Sequence, residues 1–177
     1  FNHTGADSVY FNKFRRYGDG GAYNDPNSPY RSWYQFKNWP NEYDCWWGFT
    51  ELPNLNEQEP AYSSFICGEN GVLRKWMRAG VAGWRLDVAD ELPDAFLDQI
   101  TAAVKAENPQ GAVIGEVWED ASTKCAYGVR RRYLLGGQLD SVMNYPFKDA
   151  ILAFVRGGDC YRLYMTVMDI LEHYPKP

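Results

Sequence analysis

Two short apolar runs that are interrupted by charged residues constrain the fold of this chain most. Residues 83–88 (GWRLDV) carry Arg85 and Asp87, and residues 114–118 (IGEVW) carry Glu116. A buried parallel strand is normally a continuous apolar run, so charges inside one need a specific environment. Because side chains alternate faces along a strand, Arg85 and Asp87 point to the same side and share that environment.

The segment between the two runs predicts a helix and thereby a strand–helix–strand unit. Phe96, Ile100 and Val104 recur at helical spacing, and an Asn-Pro pair ends the pattern. About 30 positions separate Asp87 from Glu116, the length of one such unit, so both acids belong at the carboxyl ends of neighbouring parallel strands. Neighbouring strands lie about 4.8 Å apart, close to the roughly 5 to 5.5 Å between the carboxylates of a retaining glycosidase. The spacing therefore suggests a catalytic pair.

The remaining pattern predicts an α/β fold. Apolar stripes predict helices over residues 61–79, 125–135, 147–154 and 163–171, and residues 139–145 predict a third short strand. The basic run at residues 130–132 is interpreted as a helix surface. Alternating strands and helices imply a parallel sheet, of which about three strands are visible. A complete (β/α)8 TIM barrel needs about 250 residues, so the expected fold is part of such a barrel.

Charge and cysteine usage exclude several function classes. The formal net charge of −5 argues against a nucleic-acid partner. No apolar run approaches a membrane span, and neither a Met nor a signal-peptide pattern opens the chain, so we expect its true start to be missing. Four widely spaced cysteines without a CxxC pair suggest free, mostly buried thiols, which fit a reducing compartment, with a secreted parent that carries unpaired cysteines as the alternative. The expected location is the bacterial cytoplasm.

Residues 1–58 predict an irregular segment. They combine turn formers with many aromatic residues and show no sustained helical periodicity. Asp and Asn residues between positions 19 and 27 make a calcium site an alternative, but ordinary turn chemistry is favoured, and we expect neither a metal nor a cofactor. Trp46, Trp47 and Trp118 are interpreted as core residues more readily than as platforms on which a sugar ring stacks.

Four stretches, in their order along the chain, resemble the signature of the α-amylase family of glycoside hydrolases. They are residues 1–3 (FNH), 52–56 (LPNLN), 83–89 (GWRLDVA) and 115–118 (GEVW). Residues 46–49 (WWGF) and 141–147 (SVMNYPF) are similar to the branch that contains neopullulanases, cyclomaltodextrinases and maltogenic amylases. The resemblance runs over essentially the whole chain. It implies that residues 1–58 are the end of the third barrel strand plus domain B, and that residues 59–177 are the middle units of the catalytic barrel.

The resemblance also implies chemical roles for the charged residues of the two strands. Asp87 would be the nucleophile, Glu116 the general acid and base, and Arg85 the cation that keeps Asp87 ionised. We expect Glu116 to have a raised pKa, because burial beside an ionised Asp87 disfavours its charged form. A raised pKa lets Glu116 hold a proton for the leaving glycosidic oxygen.

Three further residues are implied to bind substrate. Asn2 and His3 match the tail of the family's first motif, whose histidine contacts the sugar beside the scissile bond; for His3 a structural hydrogen bond is an equal alternative. Trp118 is included because it lies beside a catalytic position. We expect the Asp that opens the first motif to precede Phe1. The Asn-His-Asp motif, which supplies the third carboxylate, is expected to follow Pro177.

The resulting hypothesis is a retaining glycoside hydrolase that forms a covalent intermediate on Asp87. The expected substrates are α-1,4-linked glucans such as maltooligosaccharides, cyclodextrins or pullulan, with α-1,6 links as a further target. The alternatives are an oligo-1,6-glucosidase-like exo-enzyme, a non-catalytic sugar-binding or scaffold protein, and a purely structural ion-pair network. Because three strands of a closed barrel leave open edges, we expect the chain by itself to be inactive and to self-associate.

Overall fold

The computed structural model describes residues 21–176, and the chain divides into two compact units between Ser64 and Phe65. The sequence predicts a boundary near residue 58. The assignment of the first segment to domain B of a barrel stays a prediction.

The first unit consists mainly of turns and aromatic packing. Its regular elements are a short antiparallel hairpin, β1 (Phe36–Asn38) and β2 (Glu42–Tyr43), and two 3-10 turns at Arg31–Trp33 and Trp46–Gly48. The ring of Trp33 packs 5.5 Å from that of Tyr62, and both side chains are buried. Ring packing of this kind supplies a small core where there is little secondary structure.

A parallel three-stranded sheet with helices around it forms the second unit. From residue 60 onward the elements are α1 (Pro60–Cys67), α2 (Val72–Arg78), β3 (Gly83–Leu86), α3 (Asp94–Glu107), β4 (Ala112–Gly115), β5 (Cys125–Ala126), β6 (Val129–Arg130), β7 (Ser141–Val142), α4 (Tyr145–Val155) and α5 (Cys160–His173). The sheet order is β3-β4-β7, and both pairings are parallel. The structure confirms the predicted α/β class with three parallel strands.

Helix α3 supplies much of the core of this unit. Its Phe96, Leu97, Ile100 and Val104 are each at most 4% exposed, and they recur at the spacing of one apolar helix face. The helix contacts α2 and β4. Burying a large apolar side chain contributes roughly 1.5–3 kcal/mol, so this face fixes the helix that connects the two functional strands.

Two glycines permit close approach within the sheet. A Cβ at Gly83 would lie 2.2 Å from the carbonyl oxygen of Ala112, and a Cβ at Gly115 would lie 2.5 Å from a methyl carbon of Leu139. A side chain at Gly83 would displace the backbone of the neighbouring strand, whereas a side chain at Gly115 would require the side chain of Leu139 to move.

Two of the helix predictions are wrong, one in part and one entirely. The stripe over residues 61–79 forms two helices, and the turn between them leaves no space for a side chain at Gly71, where a Cβ would lie 2.7 Å from the carbonyl oxygen of Ile66. Residues 125–135 contain no helix. There β5 and β6 form an antiparallel hairpin, with Tyr127 (φ 53°) and Gly128 (φ 75°) both left-handed, as a two-residue hairpin turn requires.

The interpretation of residues 130–132 as a helix surface is wrong as well. Arg131 is only 6% exposed, and its guanidinium donates to the carbonyl oxygens of Asp90 and Leu92. Its Nε also lies 3.0 Å from the carboxylate of Asp94, and its guanidinium carbon lies 4.9 Å from the ring centroid of Tyr133. This buried cation ties the hairpin to the start of α3.

Two smaller predictions need adjustment. The third strand is shorter than residues 139–145, because only Ser141–Val142 pair with β4 and α4 already begins at Tyr145. All four cysteines are free, but Cys125 and Cys160 are exposed, so the thiols are not mostly buried. Within residues 21–176, no helix has the length and apolar character needed to cross a membrane.

Candidate active site

The three predicted charged residues meet at the carboxyl edge of the parallel sheet. Leu86 is paired with Gly115 in the register of β3 and β4, so Asp87 and Glu116 are the next residues on two adjacent strands. The backbone N–H of Glu116 donates to the carbonyl oxygen of Leu86 at 2.9 Å, and the N–H of Ala89 donates to that of Glu116 at 3.0 Å. The two acids thus remain side by side beyond the last ladder pair.

Arg85 contacts both carboxylates. Its Nη1 donates to Oδ1 of Asp87, and its Nη2 lies 3.0 Å from Oε2 of Glu116. The bond to Asp87 is the main reason that the pKa of Arg85 is raised. The side chain of Asp87 is 79% exposed and that of Glu116 is 10% exposed. One cation therefore links an accessible carboxylate to a buried one.

Glu116 is surrounded by donors. Its Oε2 accepts the backbone N–H of Val88 at 2.9 Å, its Oε1 accepts the hydroxyl of Tyr145 at 3.0 Å, and the indole of Trp118 provides a further side-chain hydrogen bond. These bonds lower the pKa of Glu116 to about 2, and the bond from the N–H of Val88 has the largest effect. Burial acts in the opposite direction. The expected raised pKa is wrong, because donors to the charged form outweigh desolvation.

The donor at position 88 is held in an unusual backbone conformation. Val88 has φ 41° and ψ 61°, in the left-handed region that β-branched residues rarely adopt. A residue held in such a conformation costs roughly 1–3 kcal/mol, and such strain clusters at functional sites. Here the conformation directs the N–H of Val88 to Glu116 and starts the 3-10 turn Ala89–Glu91.

Two further residues of the site, Met143 and Tyr145, follow the third strand, β7, and sequence reasoning assigned them no role. The N–H of Met143 donates to the carbonyl oxygen of Gly115 at 2.9 Å, and its sulfur accepts from Nε of Arg85 at 3.5 Å. Tyr145 opens α4 and donates to Glu116, which raises the pKa of its hydroxyl. Both residues lie in the stretch 141–147, which the sequence analysis used only to indicate the branch of the family. The position of this stretch at the end of a third parallel strand was the signal that could have assigned them to the site.

The other predicted site residues have different outcomes. Asn2 and His3 lie outside the described residues. Trp118 is 39% exposed and hydrogen-bonds Glu116, so it belongs to the site, and its contact with substrate stays a prediction. Among the described residues, no group of three or more His, Cys, Asp or Glu side chains is arranged to hold a metal ion. The calcium alternative remains untested.

This arrangement provides two carboxylates with different environments and a cation between them. Chemically, it can present an anionic oxygen to an electrophilic carbon while the second carboxylate exchanges a proton. An ion pair with purely structural purpose would not require the strained backbone donor at Val88.

Comparison with known proteins identifies the family. The model of the family "Alpha amylase, catalytic domain" matches residues 1–176. An amylopullulanase of Thermoanaerobacterium saccharolyticum is 35% identical over 208 residues, covering 100% of this chain and 16% of that protein. A cyclomaltodextrinase of Geobacillus thermopakistaniensis is 32% identical over 185 residues, covering 99% of this chain and 28% of that protein.

A solved structure has the same fold. The cyclic α-maltosyl-(1→6)-maltose hydrolase of Arthrobacter globiformis matches 88% of this chain and 34% of its own, with a TM-score of 0.76 and 25% identity. The chain thus spans between 16% and 34% of the length of these three proteins. These matches confirm the predicted partial TIM barrel and the resemblance to the neopullulanase and cyclomaltodextrinase branch. This chain belongs to the α-amylase family of glycoside hydrolases, as part of its catalytic domain.

Proposed function

We propose that this chain carries the nucleophile and the acid/base residue of a retaining hydrolase that cleaves α-1,4 links, and secondarily α-1,6 links, in α-glucans. Asp87 attacks the anomeric carbon as the glycosidic oxygen leaves with a proton from Glu116; water then releases the sugar from Asp87 and returns a proton to Glu116. Arg85 holds the carboxylate of Asp87 in position through the hydrogen bond from its Nη1. The observation that carries the proposal is that one guanidinium contacts both carboxylates at the carboxyl ends of adjacent strands.

The exposures of the two carboxylates support this division of roles. Asp87 is open to an incoming anomeric carbon, whereas Glu116 is largely enclosed and held by several donors. A nucleophile needs access, and a proton-exchanging group needs a fixed orientation toward the oxygen that it serves.

The ionised state of Glu116 suits the second half of the reaction. With a pKa near 2 it is an anion at neutral pH and can accept the proton of the attacking water. The first half needs a protonated Glu116. A bound glucan that excludes water, or a further carboxylate nearby, raises the pKa in that direction. The third carboxylate implied by the family resemblance would do so, which supports the expectation that the 177 residues by themselves are inactive.

Mechanism-based labelling tests the proposal. The natural gene product that contains these residues is incubated with a 5-fluoroglucosyl fluoride, digested and mapped by mass spectrometry. We expect the label on the peptide that contains Asp87, and a label on a different carboxylate would overturn the assignment. Asp98→Asn is the matched control, because Asp98 lies on α3 and pairs with Arg132 at the surface. This variant should label normally.

Substrate comparison tests the linkage specificity. We expect turnover of cyclodextrin and pullulan, as for an endo-acting enzyme of the cyclomaltodextrinase type. Turnover of isomaltose alone would favour the oligo-1,6-glucosidase alternative. Saturable sugar binding with no turnover of any of the three would favour the non-catalytic binding protein.

We also propose that the chain by itself self-associates in solution. Within the described part of the chain, β3 and β7 pair on one side only, and α4 and α5 expose apolar side chains such as Val155 (74%) and Leu171 (65%). Open strand edges and apolar faces favour association. Analytical ultracentrifugation beside a maltooligosaccharide assay tests this point. A monomer with the turnover of a whole family enzyme would contradict both the association and the inactivity.

The remaining proposals concern partners and compartment. The acidic net charge argues against nucleic-acid binding, and the four free cysteines support a reducing compartment such as the bacterial cytoplasm. Localising the tagged gene product by cell fractionation tests the compartment.

A further inference from the structure

Three stacked aromatic rings in the first unit include a tryptophan that is exposed to solvent. The ring of Trp46 lies 5.0 Å from that of Trp47, with 14° between the planes, and 5.9 Å from that of Phe49, with 26° between the planes. Trp47 is 65% exposed and Phe49 is 48% exposed. The sequence interpretation of Trp47 as a core residue is therefore wrong. Because an indole gains more from burial than almost any other side chain, its exposure needs a reason.

The backbone fixes this exposed ring in place. Trp47 has φ 49° and ψ 28°, a left-handed conformation that is rare for a bulky residue. Two backbone hydrogen bonds of 2.9 Å, from Trp46 to Leu52 and from Leu52 to Phe49, close the turn around it. A strained conformation that is stabilised on both sides and that directs an indole toward solvent points to a functional use of the ring.

The chemistry of the ring selects the class of ligand. A flat, rigid indole that already stacks on a second ring matches the apolar C–H face of a pyranose, and it loses little conformational entropy on binding. We propose that Trp47, supported by Trp46, is a platform for one glucosyl unit of an α-glucan. The choice of an α-glucan rests on the proposed function. The existence of the platform rests on the exposed stack.

The proposal can be tested on the 177-residue chain itself. Maltoheptaose is titrated into the protein, and the affinity is followed by calorimetry and by the NMR signals of the indole N–H groups. Trp47→Gly removes the ring and accepts the left-handed backbone, so the variant should keep its fold. Trp47→Phe keeps an aromatic face. Trp76→Ala is the matched control, because Trp76 is a 52% exposed tryptophan on α2 in the other unit.

We expect weak binding that depends on the aromatic ring at position 47. The wild-type chain should bind maltoheptaose, Trp47→Gly should bind about tenfold more weakly, and Trp47→Phe should stay within about threefold of wild type. Trp76→Ala should bind as wild type does. Absence of binding by the wild-type chain, equal affinity of Trp47→Gly, or an equal loss in Trp76→Ala would each overturn the platform.

A sedimentation measurement on the same samples separates the platform from an interface between copies of the chain. If Trp47→Gly abolishes self-association and leaves the affinity for maltoheptaose unchanged, Trp47 is an interface residue and the proposal is wrong. The readout is also independent of catalysis. A sugar-dependent shift of the Trp47 signal without labelling at Asp87 would overturn the hydrolase alone, whereas labelling at Asp87 with no effect of Trp47→Gly would overturn the platform alone.

Discussion

The two ends of the parallel sheet use the same kinds of charged residue in different ways. At the amino end, Nζ of Lys105 donates to both carboxylate oxygens of Asp140 at 2.7 and 2.8 Å and to the carbonyl oxygen of Gly111 at 2.8 Å. Asp140 also accepts the N–H of Val113 at 2.8 Å. At the carboxyl end, Arg85 contacts Asp87 and Glu116, and Asp87 is 79% exposed.

The two ends differ in how completely the carboxylate oxygens of Asp140 and of Asp87 are bound by hydrogen-bond donors. Asp140 binds a backbone N–H and both its oxygens face the ammonium group, so it fixes the start of two strands. Asp87 is bonded at Oδ1 by Arg85 and is largely open to solvent. In barrels of this type the carboxyl end carries the chemistry and the amino end carries stability. Charged residues in a strand are therefore not informative by themselves, and their exposure and partners decide what they do.

The largest expected effect is on turnover, and it distinguishes Asp87 from Asp140. Asp87→Asn in the natural gene product should lower turnover of maltooligosaccharides at least roughly a thousandfold, because the nucleophile is lost, while sugar binding changes little. Asp140→Asn should keep most of the turnover. Steady-state kinetics and calorimetric titration measure the two quantities. Turnover of Asp87→Asn within tenfold of wild type would remove the functional contrast between the two ends.

For the free energy of unfolding, the order of the two ends should be reversed, with the larger loss at the amino end of the sheet. Lys105→Met removes three donated hydrogen bonds, so we expect the free energy of unfolding of the chain to fall by about 1–3 kcal/mol. Arg85→Met should cost less than about 1 kcal/mol, since Arg85 is 42% exposed and exposed ion pairs contribute little. Urea denaturation measures both. Arg132→Met, which breaks a surface pair with Asp98, is the control and should resemble Arg85→Met. An equal or larger loss in Arg85→Met would contradict the comparison.

The smallest expected effect concerns the titration of Glu116. Its folded-state pKa of about 2 lies below its ordinary value of 4.5, so the ionised carboxylate stabilises the fold above about pH 4.5. That contribution is lost as the pH falls from 4.5 toward 2. Tyr145→Phe removes one donor and should raise the pKa of Glu116 by about half a unit to one unit. The remaining donors, Val88, Trp118 and Arg85, should keep it below the ordinary value.

Carbon-13 NMR of the glutamate carboxyl groups follows this titration directly. Tyr161→Phe is the matched control, because Tyr161 is an exposed tyrosine on α5. It should leave the pKa of Glu116 unchanged. The ammonium group of Lys148 lies 4.4 Å from the ring centroid of Tyr145, so the position of Lys148 should be checked in the Tyr145→Phe variant. An unchanged pKa in Tyr145→Phe would mean that this hydroxyl does not hold the carboxylate.

The strand–helix–strand unit was predictable because its signals are local. Alternation along β3 placed Arg85 and Asp87 on one side, and the apolar face of α3 set the distance to Glu116. The hairpin β5–β6 was missed because a short apolar run fits a helix or a strand equally well. Its turn depends on a left-handed tyrosine that no residue pattern predicts.

The sequence by itself determined the fold class, the family and the two strands that carry Asp87, Glu116 and Arg85, since these follow from periodicity, spacing and motif order. Only the tertiary structure decided the electrostatic state of Glu116. One of its donors is the backbone N–H of Val88, two residues beyond the end of β3, and another is Tyr145, which follows the third strand. Such contacts form between segments about 30 residues apart through parallel pairing, and they reversed the direction of a pKa shift that burial alone would set.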